Sequence, residues 1–380
     1  IYEQMDVVAR VFKRYKEIQL ENIKIDYDDF HNAKEELLHR LNVLNDNLND
    51  YLAKDYGIIK DTESEKYYEW FTSHKPFHWF AEYYEIIHQN GGFDIIIGNP
   101  PYIENTKVNY ELKNYETIKC GNLYVYTIER CLSLLNDIGK IGMIVQLPIV
   151  CTDRMIPIQK IFDNAFKNNY FATFDDRPGK LFDGLEHIRA TIFVSEKTSP
   201  NFTSNKFTNN YIRWQSDFRS FLFDTIKYNK NNFQLNGSFL KIGSNIQTKI
   251  FERLFLKKKL GFGLSGIYPI YFHNAPQYWI RATDYVPYFW NEKDGEKQSV
   301  QIKTIFTINE KYAPLVASVI NSSLFYQWFL VLSDCRHLNL REIELFPFSI
   351  NEIDEKTLNQ IRTIHNELMC DFESNKNRKI

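Results

Sequence analysis

A run of six residues, Phe93-Asp94-Ile95-Ile96-Ile97-Gly98, ends against two consecutive prolines. The run is β-branched and nearly continuous in apolar character, as expected of a strand buried on both faces of a parallel sheet. Asn99-Pro100-Pro101-Tyr102 then forbids its continuation, because each proline fixes φ and removes an N–H donor. Backbone carbonyls at such a corner have little freedom, and Asn99 adds a side-chain carbonyl. Together they form a rigid acceptor pair suited to an NH₂ group, with Tyr102 offering a planar face beside it. Stacking on such a face is worth ~1–3 kcal/mol per base. An exocyclic amine on a flat heteroaromatic ring, adenine foremost, matches this constellation. Asn and Pro are also ordinary turn residues; the strand before this turn and the crossover units behind it set it apart.

Those units follow in order. A helix is expected from about Leu123 to Asn136, a strand over Gly142–Leu147, a helix over Asp153–Asn168 and a strand over Tyr170–Phe174. A fourth strand is expected from His187 to Ser195, where Ile188, Ala190, Ile192 and Val194 alternate. Strands separated by helices imply a mostly parallel sheet, part of a doubly wound α/β domain, and ligands of such sheets sit beyond the strands' carboxyl ends. Residues 1–88 read as helical, with Leu37, Leu38, Leu41, Leu44 and Leu48 at 3/4 spacing and an aromatic helix or helix pair over 67–87. Residues 89–197 read as the α/β part. Residues 198–380 read as a separate α+β module, polar and loosely built over 198–236, with helices around 312–329 and 355–375.

Composition narrows the possibilities. The 380 residues are 44% hydrophobic and 25% charged, which is globular rather than disordered, and imply two or three domains. No apolar run reaches membrane-spanning length, so no membrane partner is expected. Cys120, Cys131, Cys151, Cys335 and Cys370 contain no C-x-x-C pair, which argues against a disulfide framework or zinc knuckle and for a reducing cytoplasm. With a net charge of −2, any nucleic-acid surface must be a local patch. The 30 Phe and 24 Tyr are expected mostly to fill cores, and a minority could serve as platforms for flat ligands.

Phe93 to Tyr102 resembles the catalytic motif of N6-adenine DNA methyltransferases, especially large restriction–modification methylases that carry their own target-recognition domain. The resemblance extends over about residues 75–350. It includes Trp79-Phe80-Ala81-Glu82-Tyr83-Tyr84, Asn122-Leu123-Tyr124, Gly139-Lys140-Ile141-Gly142-Met143-Ile144-Val145, Leu181-Phe182-Asp183-Gly184, Ile320-Asn321-Ser322-Ser323-Leu324-Phe325 and Phe346-Pro347. It implies a partial Rossmann-like methyltransferase sheet, S-adenosylmethionine as cofactor and double-stranded DNA as partner. The adenine would be rotated out of the duplex, which costs a few kcal/mol. Tyr102 and Phe182 would sandwich it, while Asn99 and the backbone carbonyl of Pro100 would accept hydrogen bonds from N6. Pro101 would stiffen the corner.

The sequence departs from the family pattern in one respect. The glycine-rich turn that normally binds the cofactor is absent: Gly57, Gly91 and Gly92 alone precede Gly98, and none follows a strand and opens a helix. Asp94 and Asn99 would line only the edge of a cofactor site. Since the chain begins at Ile1 rather than Met, a missing N-terminal portion is expected; a partner subunit carrying the cofactor half, or a degenerate DNA-binding copy, are alternatives. A non-catalytic specificity subunit and a protein glutamine methyltransferase are the other functional readings. Lys249, Arg253, Lys257, Lys258 and Lys259 lie in a basic run that fits phosphate tracking or a solvated helix face, and Arg281 and Arg336, with His337 and Asn339, are candidate base readers. His74 and His78 have metal-ligand spacing, but Pro76 between them disfavours a regular helix and no metal site is expected. No nuclease cluster of the Asp…Glu-x-Lys type stands in residues 1–90.

Overall fold

The computed structural model describes residues 2–20, 27–184, 187–198 and 201–375; residues 21–26 of the expected helical segment and 376–380 of the C-terminal module lie outside them. The chain divides into two compact units. The first comprises Ile1–Met143, Asn164–Lys167 and Val194–Thr203, and the second Ile144–Asp163, Asn168–Phe193 and Ser204–Ile380.

The first unit opens with helices α1 (Tyr2–Leu20) and α2 (Tyr27–Asp55). Leu37 and Leu44 of α2 bury against Met5 and Val8 of α1, as their helical spacing dictates, while Leu38 stays exposed. The aromatic segment is indeed broken at Pro76: α3 (Ser64–His74) ends in left-handed Lys75, and α4 (Trp79–Glu82) restarts beyond it. Trp79 and Tyr83 set their rings against Phe93, the first residue of strand β1 (Phe93–Gly98). Gly92, at φ 128°, turns the chain into β1; a Cβ there would stand 2.5 Å from the carbonyl oxygen of Leu134.

Helix α5 (Leu123–Leu134) carries the chain to β2 (Leu135–Gln146), which runs parallel to β1 with Ile95 opposite Lys140 and Gly98 opposite Met143. Helix α6 (Ile156–Ala165), β3 (Phe166–Phe174), β4 (Ala190–Lys197), β5 (Asn205–Thr208) and β6 (Asn229–Lys230) complete a six-stranded sheet of order β1-β2-β4-β3-β5-β6. The α/β expectation holds, with β1–β2 and β3–β5 parallel and β6 antiparallel to β5.

Two expectations about this sheet fail. Strand β1 is not buried on both faces: Ile95 is 65% and Ile97 80% exposed. It stands at the end of the sheet order, and no strand among the described residues pairs with its outer side. The apolar pattern describes the cover such a strand is made for, and these residues do not supply that cover. Residues 198–236 are also less loose than expected, because β5 and β6 join the sheet and Lys206 buries its ammonium against Asp163 at 2.7 Å.

The remainder of the second unit surrounds an aromatic core. Hairpin β7 (Gln234–Leu235) and β8 (Ser238–Phe239) precedes α7 (Asn245–Leu254). Strands β9 (Tyr268–His273), β10 (Ala282–Thr283), β11 (Trp290–Asn291), β12 (Gly295–Glu296) and β13 (Ile302–Thr307) form one three-stranded sheet, β10-β9-β13, and one ribbon, β11-β12. The single helix expected over 312–329 is two, α8 (Ala313–Asn321) and α9 (Ser323–Leu332), bent by 63°. Ser322 is the cause: it leaves helical geometry and its Oγ accepts from the Phe325 N–H, capping α9. Helices α10 (Leu340–Glu344) and α11 (Glu355–Ser374) follow. Phe251, Phe325, Trp328 and Phe346 interlock at the centre, and Trp328 donates to the Glu342 carbonyl. No single described helix is long and apolar enough to cross a membrane.

These burial patterns set opposite expectations for two apolar residues. Ile97→Ser should shift the stability of the chain by less than about 0.5 kcal/mol, because its side chain already faces water. Phe325→Ala should cost about 3–5 kcal/mol. Denaturant midpoints of the two variants check both.

Candidate functional site

The corner begins where β1 ends. Asn99 is exposed and its side chain makes no hydrogen bond among the described residues, Pro100 is buried, Pro101 is exposed and Tyr102 is half-buried. Hydrogen bonding to the rest of the fold resumes immediately beyond. Leu123 donates its N–H to the carbonyl of Ile103, Asn105 donates to Gly121, and Glu104 bridges Asn122 in antiparallel fashion. The loop after the prolines is thus sewn to the start of α5, whose Tyr124, Val125 and Ile128 are fully buried. Tyr102 meets the buried Tyr124 edge-on, with ring centroids 6.1 Å apart. One tyrosine anchors the other.

Asn122 is the hinge of this arrangement. It is 1% exposed, its Nδ2 donates to Glu104, and its Oδ1 has no partner. Glu129, two turns along α5, accepts from the N–H groups of Glu116 and Thr117 and from the Thr117 hydroxyl. Its carboxylate closes the long loop back on the helix. Neither positioning role shows in the linear pattern, where Glu129 reads as an ordinary polar helix residue.

Burial pushes the Tyr102 phenol up to about 12, so the ring is neutral throughout the working range. A phenol held above its free value of about 10 adds stability that is complete below that value and is lost as pH rises through about 12. Tyr102→Phe should therefore flatten the fall in melting temperature between pH 10 and 12, measured by circular dichroism.

The other expected residues are placed as follows. Phe182 is half-buried and lies in the second unit, whereas Tyr102 lies in the first. Asp94 accepts from the Asn136 amide at 2.7 Å. Lys249 and Arg253 are exposed one turn apart on α7, and Lys257, Lys258 and Lys259 are exposed beyond it, Lys257 paired with Glu352 at 2.7 Å. Lys241, at the head of the same basic run, is buried instead, its ammonium held by the carbonyls of Val331 and Ser333. Arg281 is half-buried, and Arg336 donates to the His187 carbonyl. His74 binds the carbonyls of Trp70 and Glu111, and His78 binds Asn49, so the two histidines have separate packing partners. No group of three or more metal-binding side chains occurs among the described residues.

S-adenosylmethionine, which the resemblance implies, does not find a complete cradle in these residues. Helices stand ahead of β1 where βα units would bring a glycine turn to the cofactor, and Gly91 and Gly92 turn the chain into a strand instead of out of one. Asp94 is engaged with Asn136, which leaves Asp94 and Asn99 as a border at most.

Residues 11–181, a little under half of the chain, match the family model of the Eco57I restriction-modification methylase. Among solved structures, similarity is found to a nuclease-deletion mutant of the Type ISP restriction-modification enzyme LlaGI in complex with a DNA substrate mimic, at 15% identity over 49% of this chain and 21% of that one, with a TM-score of 0.34. The DrdV–DNA complex is similar at 13% identity over 42% and 19%, with a TM-score of 0.35. The Type I restriction enzyme EcoKI M protein is similar at 9% identity over 77% and 54%, with a TM-score of 0.25. The chain spans about a fifth of the length of the first two. A search of curated proteins returned no match.

The clamp at Glu129 has a direct consequence. Glu129→Ala should leave the amides of Glu116 and Thr117 without their acceptor, at a cost of about 1–3 kcal/mol. Hydrogen exchange should accelerate at those two amides first.

Proposed function

We propose that this chain forms the catalytic part of an adenine-specific DNA methyltransferase of a restriction–modification system, transferring a methyl group from S-adenosylmethionine to N6 of a flipped-out adenine. The observation that carries this reading is the proline-stiffened corner at the carboxyl end of β1, with Asn99 free to accept hydrogen bonds and Tyr102 anchored edge-on by Tyr124. The family match supports it, since residues 11–181 include the whole corner.

The chemistry asked of the corner is positioning and electrostatics. The Asn99 side-chain carbonyl and the Pro100 backbone carbonyl accept the two N6 hydrogens, which draws the nitrogen lone pair out of conjugation with the ring. Tyr102 stacks on the base and offsets part of the few kcal/mol lost on unstacking. Both carbonyls serve as acceptors only, so the proton lost from N6 leaves to solvent. S-adenosylmethionine supplies the electrophilic methyl group. Its cradle is proposed to come from further polypeptide docked beyond the outer edge of β1, where Ile95 and Ile97 are uncovered. Residues 198–380 are proposed as the target-recognition module, with Lys249, Arg253, Lys258 and Lys259 on phosphates and Arg281 and Arg336 near bases.

The test is labelled-methyl transfer to duplex DNA by the chain together with the polypeptide that completes the cofactor site, followed by nucleoside analysis. Asn99→Ala should lower kcat about 10²–10³-fold. Tyr102→Ala should weaken productive binding about tenfold, and Tyr102→Phe should stay within a few-fold of the parent, because the ring does the stacking. Full turnover in both alanine variants, or label on protein glutamine in place of N6-methyladenine, overturns the reading.

A further inference from the structure

Helical turn Ser216–Phe221 and the segments around it line an open cavity of about 430 Å³ that lies wholly in the second unit. Its walls are Pro178, Trp214, Phe218, Phe221, Leu222 and Tyr278, with Arg213 among them. Phe218 and Phe221 are each 61% exposed, and a soluble domain gains nothing in stability from holding two phenyl rings in water around a void. Trp214, by contrast, is only 6% exposed, and its indole N–H has neither solvent nor a hydrogen-bond partner. Such a group costs stability unless something pairs with it.

The local construction is rigid. Gly179 donates to the Trp214 carbonyl at 2.8 Å, and a Cβ on Gly179 would press into the indole at 2.9 Å, so the loop closes on the ring only because glycine stands there. Arg213 is fixed by Asp175 at 2.7 Å and by the Tyr326 hydroxyl, and its guanidinium lies 4.9 Å over the Tyr278 ring. Arg219 stacks 5.4 Å over Trp214 and donates to the carbonyls of Lys180 and Leu181, with no carboxylate partner among the described residues. Tyr278 is also a wall of a second cavity of about 260 Å³, lined by Trp279 and Arg281 among others. Flat rings and guanidinium groups thus recur along one stretch of surface. This is the chemistry that holds unstacked bases on aromatic faces while cations follow the phosphates.

We propose that the Trp214–Phe218–Tyr278 cavity binds an unpaired nucleobase of DNA, separately from the Asn99 corner. The proposal rests on the DNA reading of the chain, though not on its methyl-transfer chemistry. It gives the second unit a way to hold a base that has lost its partner, in a site that distinguishes open from paired DNA.

The test is fluorescence anisotropy of the full chain with three labelled probes: a fully paired duplex, the same duplex with one bulged base, and the single strand. The bulged duplex and single strand should bind more tightly than the paired duplex. Phe218→Ala, a change at an exposed side chain, should remove about tenfold of that preference. Phe221→Ala, at the second exposed ring, should reduce it as well. Two results overturn the proposal while DNA binding stands: a preference indifferent to both Phe218→Ala and Phe221→Ala, or free adenosine bound at the cavity with no preference for open DNA. If none of the three probes binds, the DNA reading itself falls, and this proposal falls with it.

Discussion

Two successive prolines withdraw two amide donors from the end of β1, and the architecture of the corner depends on what replaces them. The replacement is displaced along the chain. Hydrogen bonding resumes at Ile103, Glu104 and Asn105, which pair with the segment Gly121–Leu123 at the head of α5. Asn99 is therefore held by covalent stiffness on one side and, on the other, by a strand paired with β2 as far as Gly98. An acceptor fixed in this way loses little entropy when a donor arrives, which is why a rigid corner suits it better than a flexible loop.

Much of this was legible in the sequence, for identifiable reasons. β1 and the corner can be placed to the residue because a β-branched run and a Pro-Pro pair permit few alternatives. The helix over 123–134 and strands β2, β3 and β4 follow from apolar periodicity, although β2 starts seven residues earlier than its core-forming half suggests. The exposure of Ile95 and Ile97 was not legible, since an apolar pattern records the environment a strand requires and not which polypeptide provides it. The break at Ser322 was also hidden, because the residues on both sides are apolar and a single serine cap outweighs their continuity. Lys241 was unreadable for a related reason. A lysine in a basic run looks solvated until the fold supplies two carbonyls to receive its ammonium.

The polar interior of the second unit shows how such a chain affords buried charge. Burial alone would raise the Asp175 carboxyl, but a hydrogen bond from Arg213 and the charge of Arg189 overcome it and hold the group below the usual carboxylate range. Removing one partner from a network like this leaves an uncompensated charge, which is far more costly than the pair is favourable. Arg213 connects the network to the Tyr326 hydroxyl and to the aromatic wall at Tyr278, so a structural ion pair also orients a surface ring.

The uncovered margin of β1 has a consequence for how the polypeptide behaves by itself. A parallel strand with an open hydrogen-bonding side and two isoleucines in water is a template for any extended chain that drifts past. At high concentration, molecules of this chain alone would recruit one another through that margin, and lysine or proline gatekeepers, the usual deterrents, are absent from Phe93–Gly98. Handling it in the laboratory thus becomes a question of shielding one strand, and a short peptide designed to lie alongside Ile95 and Ile97 would be a rational solubilising additive.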